Sequence, residues 1–439
     1  MHNEIRDLEL ETLTQGDLFL KIDRARLLKQ FDHVLASSSF YQKKLKGYRD
    51  AASLLRDLDI LPFTEKKELI DDQLQYPPFG SNLSVNNSCV RRVHRTSGTT
   101  GRPVFLALTA KDIAATIDSG SRCFWASGLR PEDIVFHCLN YCMWMGGFTD
   151  HQSLEATGAT VVPYGVGNSS KLIEAILNIR PTAIHCTVSY MAKLELLLET
   201  EFKMDPRELG LRKGLFAGEA GIQNPMTRSR IEKVWGFKAM DANYGISDVL
   251  SMFGAECGCQ QGMHFMGQGN IHVELIDPDN CRKLPFEKGV KGELVVTNIN
   301  KEAQPLVRLR SHDVIDVVDH NKCACGRSSF RFKVLGRSDD MIVVKGVNIF
   351  PGAIGAVVSG FIDEVTGEYQ VVAKGLDMVE KITVRVECGD GVPVPRQEEI
   401  GAAIKQEIRD KMDVNADIVM VLKGEIPRTG EKTKRLVRE

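Results

Sequence analysis

A loop rich in glycine and hydroxyl side chains is the strongest chemical signal in the sequence. It consists of Thr96, Ser97, Gly98, Thr99, Thr100 and Gly101. Glycines let a backbone approach a ligand closely, and hydroxyls and amides supply hydrogen-bond donors for phosphate oxygens. The Gly-Lys-Ser/Thr ending of a P-loop is absent. The composition predicts a phosphate-binding loop, and an ordinary polar loop is the alternative.

A second segment, residues 244–248, combines an aromatic ring, a glycine, a hydroxyl and a carboxylate. The ring of Tyr244 could stack on a nucleotide base, and the carboxylate of Asp248 could hold magnesium near phosphates. Gly245 and Ser247 lie between them. Most pentapeptides of this kind are simple turns, so this segment gains meaning only together with the others.

Two further segments lie towards the C-terminus. Residues 336–351 form a charged turn followed by an apolar stretch with a central glycine, which suits a hinge or a surface hairpin. Residues 426–435 form a tail dense in cations that contains Lys432. A basic tail is usually just solvated, so its order relative to the other segments matters more than its charge.

Cysteine and histidine residues cluster in two groups. Cys257, Cys259 and His264 follow the aromatic turn, and Cys323 and Cys325 precede the predicted hinge. Thiolate and imidazole ligands suit a closed, tetrahedral structural zinc site. Unliganded thiols and a surface histidine are the alternative reading.

The segments described above must be positioned by strands and helices, which the sequence predicts from its apolar patterns. From residue 130 to 244, short apolar runs alternate with amphipathic helical stretches, which predicts a parallel sheet covered by helices. A second, less parallel sheet is expected from residues 271–276 and 292–297. Residues 1–90 read as mainly helical, and the pattern after residue 336 predicts a small α+β unit. The fold class is therefore α/β, with a large N-terminal part and a small C-terminal one.

Composition narrows the class of protein. The 439 residues carry a formal net charge of -2, with 26% charged and 43% hydrophobic residues. This balance is typical of a globular protein and gives no general attraction to nucleic acid or anionic lipid. No apolar stretch approaches the roughly 20 residues that a membrane span requires, and residues 1–23 lack a signal-peptide pattern. We expect a cytoplasmic protein with neither nucleic-acid nor membrane partners.

The order of the four segments resembles the adenylate-forming superfamily, and most closely its phenylacetate-CoA ligase branch, over the whole chain. Residues 61–64, 158–163, 180–182 and 305–308 also match that branch. The resemblance implies an ATP-dependent ligase that converts a carboxylic acid, expected to be aromatic, into its acyl-adenylate and then its coenzyme A thioester. It also implies a large domain, residues 1–335, and a small mobile domain, residues 336–439. Homodimers are common in this branch.

The resemblance assigns roles residue by residue. The loop 96–101 would bind the ATP phosphates, Asp313 the ribose hydroxyls with help from Arg337, and Asp248 the magnesium ion. Asp339 would be the hinge residue and Lys432 the catalytic lysine of adenylation. The implied structural zinc site consists of Cys257, His264, Cys323 and Cys325, with Cys259 as the alternative to His264. The remaining nucleotide-site residues are Gly218, Glu219, Ala220, Ala242, Asn243, Tyr244, Gly245 and Ser247.

The resemblance to this ligase branch also implies which residues form the acyl pocket. Its expected residues are Tyr141, Met145, Gly146, Gly147, Ser189 and Tyr190. Asp150 and His151 add polar options, so a hydroxylated or amino-substituted aromatic acid is as plausible as phenylacetate. Two alternatives stay open: an adenylating enzyme that passes the acyl group to a carrier protein or an amine, and a non-catalytic relative that binds acid and nucleotide.

Overall fold

The computed structural model describes residues 4–96, 102–219, 221–344, 347–361, 364–373, 382–412, 414–427 and 435–438. The α-helices are α1 Leu8–Glu11, α2 Gln15–Leu18, α3 Arg24–Ser37, α4 Ser39–Lys44, α5 Ala51–Arg56, α6 Lys66–Gln75, α7 Ala110–Ala126, α8 Met145–Glu155, α9 Ser169–Ile179, α10 Val188–Leu197, α11 Pro225–Trp235, α12 Pro351–Val358 and α13 Val394–Met412.

The first fourteen strands belong to the large unit. They are β1 Arg92–Arg95, β2 Phe105–Leu108, β3 Ile134–His137, β4 Thr160–Val162, β5 Ala183–Cys186, β6 Lys213–Ala217, β7 Lys238–Ile246, β8 Leu250–Glu256, β9 Met263–Phe265, β10 Ile271–Ile276, β11 Lys283–Leu284, β12 Lys291–Asn298, β13 Leu309–Asp319 and β14 Arg331–Arg337. The remaining strands are β15 Ile342–Val344, β16 Val347–Ile349, β17 Val365–Ala373, β18 Ile382–Cys388, β19 Ala416–Val421 and β20 Leu436–Arg438.

Within the described ranges, twelve strands form one continuous sheet in the order β11-β10-β12-β13-β14-β9-β8-β7-β6-β5-β3-β4. Strands β4, β3, β5, β6 and β7 are mutually parallel, and the rest of the sheet is antiparallel. The sequence predicted the change in strand direction but expected two separate sheets. They are joined because β7 pairs with β6 along one edge and with β8 along the other.

The parallel half has the predicted alternation of strand and helix, since α8, α9, α10 and α11 each connect two of its strands. Helix α11 shows how local sequence sets such an element. The Asn224 side chain caps it by accepting from the Met226 amide, and Pro225 stands at its first turn. Gly236 then ends it in a left-handed conformation, with φ of 71°. These are the residue types that favour a helix start and stop at those positions.

The N-terminal helices α1–α6 pack beside the antiparallel half of the sheet. On α3, Leu27, Phe31 and Val34 share one buried face, because residues three and four apart lie on the same side of a helix. A small hairpin of β1 and β2 leads into the predicted phosphate loop and out of it. The loop therefore connects two paired strands.

The small C-terminal unit contains the hairpin β15–β16 and a four-stranded sheet in the order β19-β18-β17-β20, with α12 and α13. It has its own apolar core, which runs from Ile342 to Leu436 and includes Ile354, Val384 and Ile404. The 3-10 turn Ser338–Asp340 connects β14 to β15. None of the helices in the described ranges combines the length and apolar character that crossing a bilayer requires.

Candidate functional site

A cavity of about 770 Å³ opens between the two units. Its large-unit wall is formed at the carboxyl ends of the parallel strands, where ligands of α/β proteins usually bind. Gly218 and Glu219 directly follow β6, and Tyr244 lies near the end of β7. The opposite wall comes from α12 and from the end of α13, through Gly352, Ala356 and Met412 among others. A ligand in this cavity would contact both units at once.

One face of β7 supplies much of the wall. Asp241, Asn243 and Gly245 all line the cavity, because alternate residues of a strand share a face. A Cβ atom at Gly245 would lie only 2.0 Å from the Ser251 carbonyl oxygen, so the close approach of β7 and β8 requires glycine there. Ala242 points to the other face, where its side chain is fully buried in the core.

Tyr244, Asp313, Arg337 and Asp339 form a connected polar network. The Tyr244 hydroxyl donates to Asp313 Oδ2 at 2.8 Å, and Arg337 lies 3.6 Å from Asp313 Oδ1. Arg337 also donates two hydrogen bonds to Asp339, of 2.9 and 2.7 Å. Burial and the neighbouring Asp313 carboxylate raise the pKa of Tyr244, so its hydroxyl keeps its proton and acts as a donor. The network places a carboxylate at the cavity wall beside the predicted hinge.

Most of the predicted phosphate loop lies outside the described residues. The loop residues concerned are Ser97, Gly98, Thr99, Thr100 and Gly101. Its base is described: Thr96 is buried, its amide donates to the Val104 carbonyl, and its hydroxyl accepts from the Val104 amide, both at 3.0 Å. Ala220 and the predicted catalytic Lys432 also lie outside the described residues. Their roles stay predictions.

Glu219 connects the cavity to one other predicted residue, Ser189. It accepts hydrogen bonds from the backbone amide of Ser189 and from its hydroxyl, the latter at 3.1 Å. Tyr190 turns away, since its hydroxyl bonds to Ser169 Oγ at 3.0 Å. Neither Ser189 nor Tyr190 is among the described residues that line the cavity.

The predicted acyl segment forms one end of the cavity. Met145 and Gly146, at the start of α8, line it, whereas Tyr141 bonds to His151 Nδ1 at 3.0 Å. Gly147 packs against the backbone: a Cβ atom there would lie 2.1 Å from the Asn140 carbonyl oxygen. Met145 and Gly146 therefore line the space for a ligand. Gly147 instead allows the backbone of the segment to pack closely against Asn140.

Asp248 is buried next to the site. Its Oδ2 forms a 3.0 Å ion pair with Lys66, and its Oδ1 has no hydrogen-bond partner among the described residues. The preceding Ser247 lines the cavity. Asp248 is not among the described residues that line the cavity and its Oδ1 is buried, so its magnesium role stays a prediction.

Cys257, His264, Cys323 and Cys325 come together, with their four ligand atoms within 4.8 Å of one another. The sulfurs of Cys257 and Cys323 are 3.8 Å apart, and Cys325 Sγ is 3.5 Å from His264 Nε2. A tetrahedral zinc site with ordinary bond lengths needs about 3.8 Å between sulfurs and about 3.6 Å between sulfur and nitrogen. Cys259 lies outside this group. The geometry suits zinc with His264 as the fourth ligand.

Neighbouring groups orient these ligands. His264 Nδ1 lies 3.3 Å from Ser329 Oγ, and burial lowers the pKa of the ring, which leaves it neutral and able to bind a metal. Arg327 donates to Cys325 Sγ and to Glu11 Oε2, at 3.6 and 2.6 Å. The cluster is therefore tied to α1 at the N-terminal end of the described chain.

Sequence reasoning missed Asp241 and Gln223. Gln223 donates to Asp241 at 2.6 Å, and both line the cavity. Burial, reinforced by the nearby carboxylate of Glu256, raises the pKa of Asp241 to about 7. The two-residue period of β7 would have found Asp241, because Asn243 was already assigned to the site.

The fold and the cavity define an α/β protein that binds a nucleotide-sized ligand between a large and a small unit. Residues 49–300 match the AMP-binding enzyme family, and residues 346–439 match the AMP-binding enzyme C-terminal domain. The phenylacetate-coenzyme A ligase of Thermus thermophilus is 31% identical, over 98% of each chain. The chain belongs to the AMP-binding enzyme family, and the resemblance to the phenylacetate-CoA ligases is confirmed.

Solved structures of a 2-hydroxyisobutyryl-CoA ligase match at 27 to 29% identity and cover 98% of the chain. The TM-score is 0.85 for its postadenylation state in complex with an acyl-AMP. It is 0.69 for the thioesterification state with acyl-AMP and CoA. The arrangement of the two units therefore corresponds more closely to the postadenylation state of that protein.

Proposed function

We propose that the chain is an acid–CoA ligase that works in two half-reactions. In the first, a carboxylate oxygen attacks the α-phosphorus of ATP, the bond to the bridging oxygen breaks, and pyrophosphate leaves. In the second, the thiolate of coenzyme A attacks the acyl carbon and AMP leaves. The observation that carries this proposal is the cavity between the two units, with Asp313, Tyr244 and the β6–β7 edge in its wall.

The wall residues suit an adenylate. Asp313, held by Tyr244 and Arg337, presents a carboxylate that can accept two ribose hydroxyls. Asp241 and Gln223 supply polar atoms near the end of β7, where an adenine amino group needs an acceptor. The loop 96–101 would bind the phosphates through its amides and hydroxyls.

Lys432 would act in the first half-reaction. The attack brings negative oxygens together, and an ammonium that is present only in that step stabilises its transition state selectively. The 2-hydroxyisobutyryl-CoA ligase has been solved in both a postadenylation and a thioesterification state, which supports an exchange of positions by the small unit here, with Asp339 as its hinge.

The small unit, residues 336–439, is proposed as a separate domain from residues 1–335, because it has its own apolar core. Magnesium is proposed at Asp248, where it would neutralise phosphate charge. Zinc is proposed at Cys257, His264, Cys323 and Cys325 in a structural role, since all four positions are filled by protein and no site is left for substrate.

An aromatic acid is proposed as the substrate. The acyl end of the cavity is lined by Leu139, Met145 and Gly146, which offer apolar contact and room for a flat ring. The Thermus thermophilus relative is named for phenylacetate, an aromatic acid, which favours the same class here.

The test is acid-dependent pyrophosphate release from ATP and magnesium, over a panel of aryl acids, with and without coenzyme A. Lys432→Ala should lower the rate by at least about a hundredfold, the usual effect of removing one group that stabilises developing charge. The same variant should still convert a preformed acyl-AMP and coenzyme A to the thioester. Lys434→Ala, a matched lysine two residues further on, should retain both steps.

Two results would redirect the proposal. Pyrophosphate release that is coupled to an amine or a carrier protein, and not to coenzyme A, would assign a different acceptor. Binding of ATP without any release, across the whole panel, would identify a non-catalytic relative.

A further inference from the structure

The side chain of Asn224 makes one hydrogen bond in each of the two units. Its Oδ1 accepts from the Met226 amide at 2.9 Å, at the start of α11 in the large unit. Its Nδ2 donates to the carbonyl oxygen of Ala356 on α12, in the small unit. A backbone amide can only donate and a carbonyl can only accept, so these two partners fix which end of the Asn224 amide faces which unit.

Both bonds satisfy backbone groups at helix ends. The first four amides of a helix and its last four carbonyls have no partner within the helix. Met226 belongs to the first turn of α11, and Ala356 belongs to the last turn of α12, which ends at Val358. One side chain therefore caps a helix of the large unit at its start and a helix of the small unit at its end.

The contact lies at the rim of the cavity between the units. Asn224 and Ala356 line the cavity from opposite sides. Beside them, the Met226 methyl group packs against Gly360, where an added Cβ atom would come within 2.9 Å of that methyl carbon. Helix α12 contributes Ile354 to the apolar core of the small unit, so it moves with that unit. A rotation of the small unit about the proposed hinge therefore breaks the Asn224–Ala356 bond.

We propose that Asn224 is a positioning residue that holds the small unit in the described arrangement and releases Ala356 before the thioester step. The inference rests on the proposed ligase function and adds a residue that sets the balance between its two half-reactions. The arrangement corresponds more closely to the postadenylation state of the 2-hydroxyisobutyryl-CoA ligase, with a TM-score of 0.85, than to its thioesterification state, with 0.69. We therefore assign the described arrangement to the first half-reaction.

Asn224→Asp separates the two hydrogen bonds. One carboxylate oxygen still accepts from the Met226 amide, and Asp caps a helix as well as Asn does. The other oxygen faces the Ala356 carbonyl, so a hydrogen bond becomes a repulsion between two acceptors. Each half-reaction is proportional to the population of its own arrangement, so the ratio of the two rates follows the equilibrium between them.

The first half-reaction is measured as acid-dependent exchange of pyrophosphate into ATP, and the second as thioester formation from preformed acyl-AMP and coenzyme A. In Asn224→Asp, the second rate divided by the first should rise about fivefold, the usual effect of one neutral hydrogen bond. Asn224→Ser also caps α11 but has no atom in place of the amide nitrogen. It should give a similar rise without adding a charge to the cavity.

The matched control is Asn168→Asp. Asn168 caps α9 by accepting from the Lys171 amide at 3.1 Å, within the large unit. This variant repeats the same change of side chain at another helix start and should leave the ratio of the two rates unchanged. Thermal unfolding of each variant shows that it is folded.

Hydrogen exchange supplies a readout that does not depend on turnover. The amides of residues 355–361 should exchange faster in Asn224→Asp than in the wild type, because this part of the small unit leaves the large unit more often. An unchanged ratio of rates, or unchanged exchange, in the folded variant would overturn the inference. If the wild type activates no acid at all, the ligase function fails instead, and the exchange of residues 355–361 alone decides whether Asn224 holds the small unit.

Discussion

The Tyr244 hydroxyl and the Asp313 carboxylate are joined by a 2.8 Å hydrogen bond, although their strands, β7 and β13, are separated by β8, β9 and β14 in the sheet. The bond therefore links the parallel half of the sheet to the antiparallel half at the cavity. The Asp313 carboxylate, which we propose binds the ribose hydroxyls, is held by Tyr244 on one oxygen and by Arg337 on the other.

Tyr244→Phe tests this relationship. Loss of the hydroxyl removes one hydrogen bond to a charged group, which contributes about 1.5–3 kcal/mol. We expect KM for ATP to rise by roughly 10- to 150-fold, at the upper end only if Asp313 also shifts. The measurement is steady-state pyrophosphate release with the acid saturating. Tyr76→Phe, at a tyrosine 40% exposed, is the matched control and should leave KM unchanged.

Asp241 predicts a pH dependence of stability. Its pKa is raised from about 3.9 in an unfolded chain to about 7, chiefly by burial. The folded protein then binds more protons than the unfolded chain between about pH 4 and pH 7, so this contribution to stability is lost as pH rises through that window. The loss is at most about 1.4 kcal/mol per pH unit.

The Asp241→Asn variant cannot ionise at this position. The melting temperature of the variant minus that of the wild type should therefore increase as pH rises from about 5 to 8. Thermal unfolding at four pH values measures the difference. Parallel curves for the two proteins would show that Asp241 does not titrate in this range.

Zinc analysis tests the cysteine cluster. We expect about one zinc ion per chain, and loss of the ion in Cys323→Ser together with more than about 3 kcal/mol of stability. Inductively coupled plasma analysis and thermal unfolding measure the two effects. Cys259→Ser should keep the metal, because Cys259 lies outside the four-ligand group. The opposite pattern would place Cys259 in the site.

Alanine substitutions at the adjacent Gly146 and Gly147 should have different effects on stability. Gly147→Ala forces a Cβ atom to within 2.1 Å of the Asn140 carbonyl oxygen, so the acyl segment must shift at a cost of about 1–3 kcal/mol. Gly146→Ala meets nothing nearer than 3.7 Å and should leave the melting temperature unchanged. It should instead raise KM for the acid, because its methyl group occupies cavity space. Equal melting temperatures for both variants would contradict this distinction.

Local sequence predicted most of the architecture. The alternation of apolar runs and amphipathic stretches anticipated β3–β7 and their helices, because each of these elements is formed by a contiguous segment. The joining of the two sheet halves was not predictable in the same way, since the pairing of β7 with β8 depends on which edge of a strand is left open after folding. Residues 271–276 were predicted as a strand and form β10 as expected.

The candidate site was predictable only where a motif carries it. Tyr244, Gly245 and Asp313 line the cavity as expected, and so does Asp150, which was named as a polar residue of the acyl segment, whereas Asp241 belongs to no motif and is defined by its environment. The raised pKa of both carboxyl groups is caused by burial. Burial results from tertiary packing, so it cannot be read from the residues next to Asp150 or Asp241 in the sequence. Ala242 shows the converse, since its motif position suggested a role but the strand period turns its side chain into the core.

The connection between the two units has a mechanical consequence. Only the turn Ser338–Asp340 and Met341 separate the end of β14 from the start of β15. Four residues span at most about 14 Å even when fully extended. Any rotation of the C-terminal unit would therefore take place about this short connection, which keeps the start of β15 within about 14 Å of the end of β14.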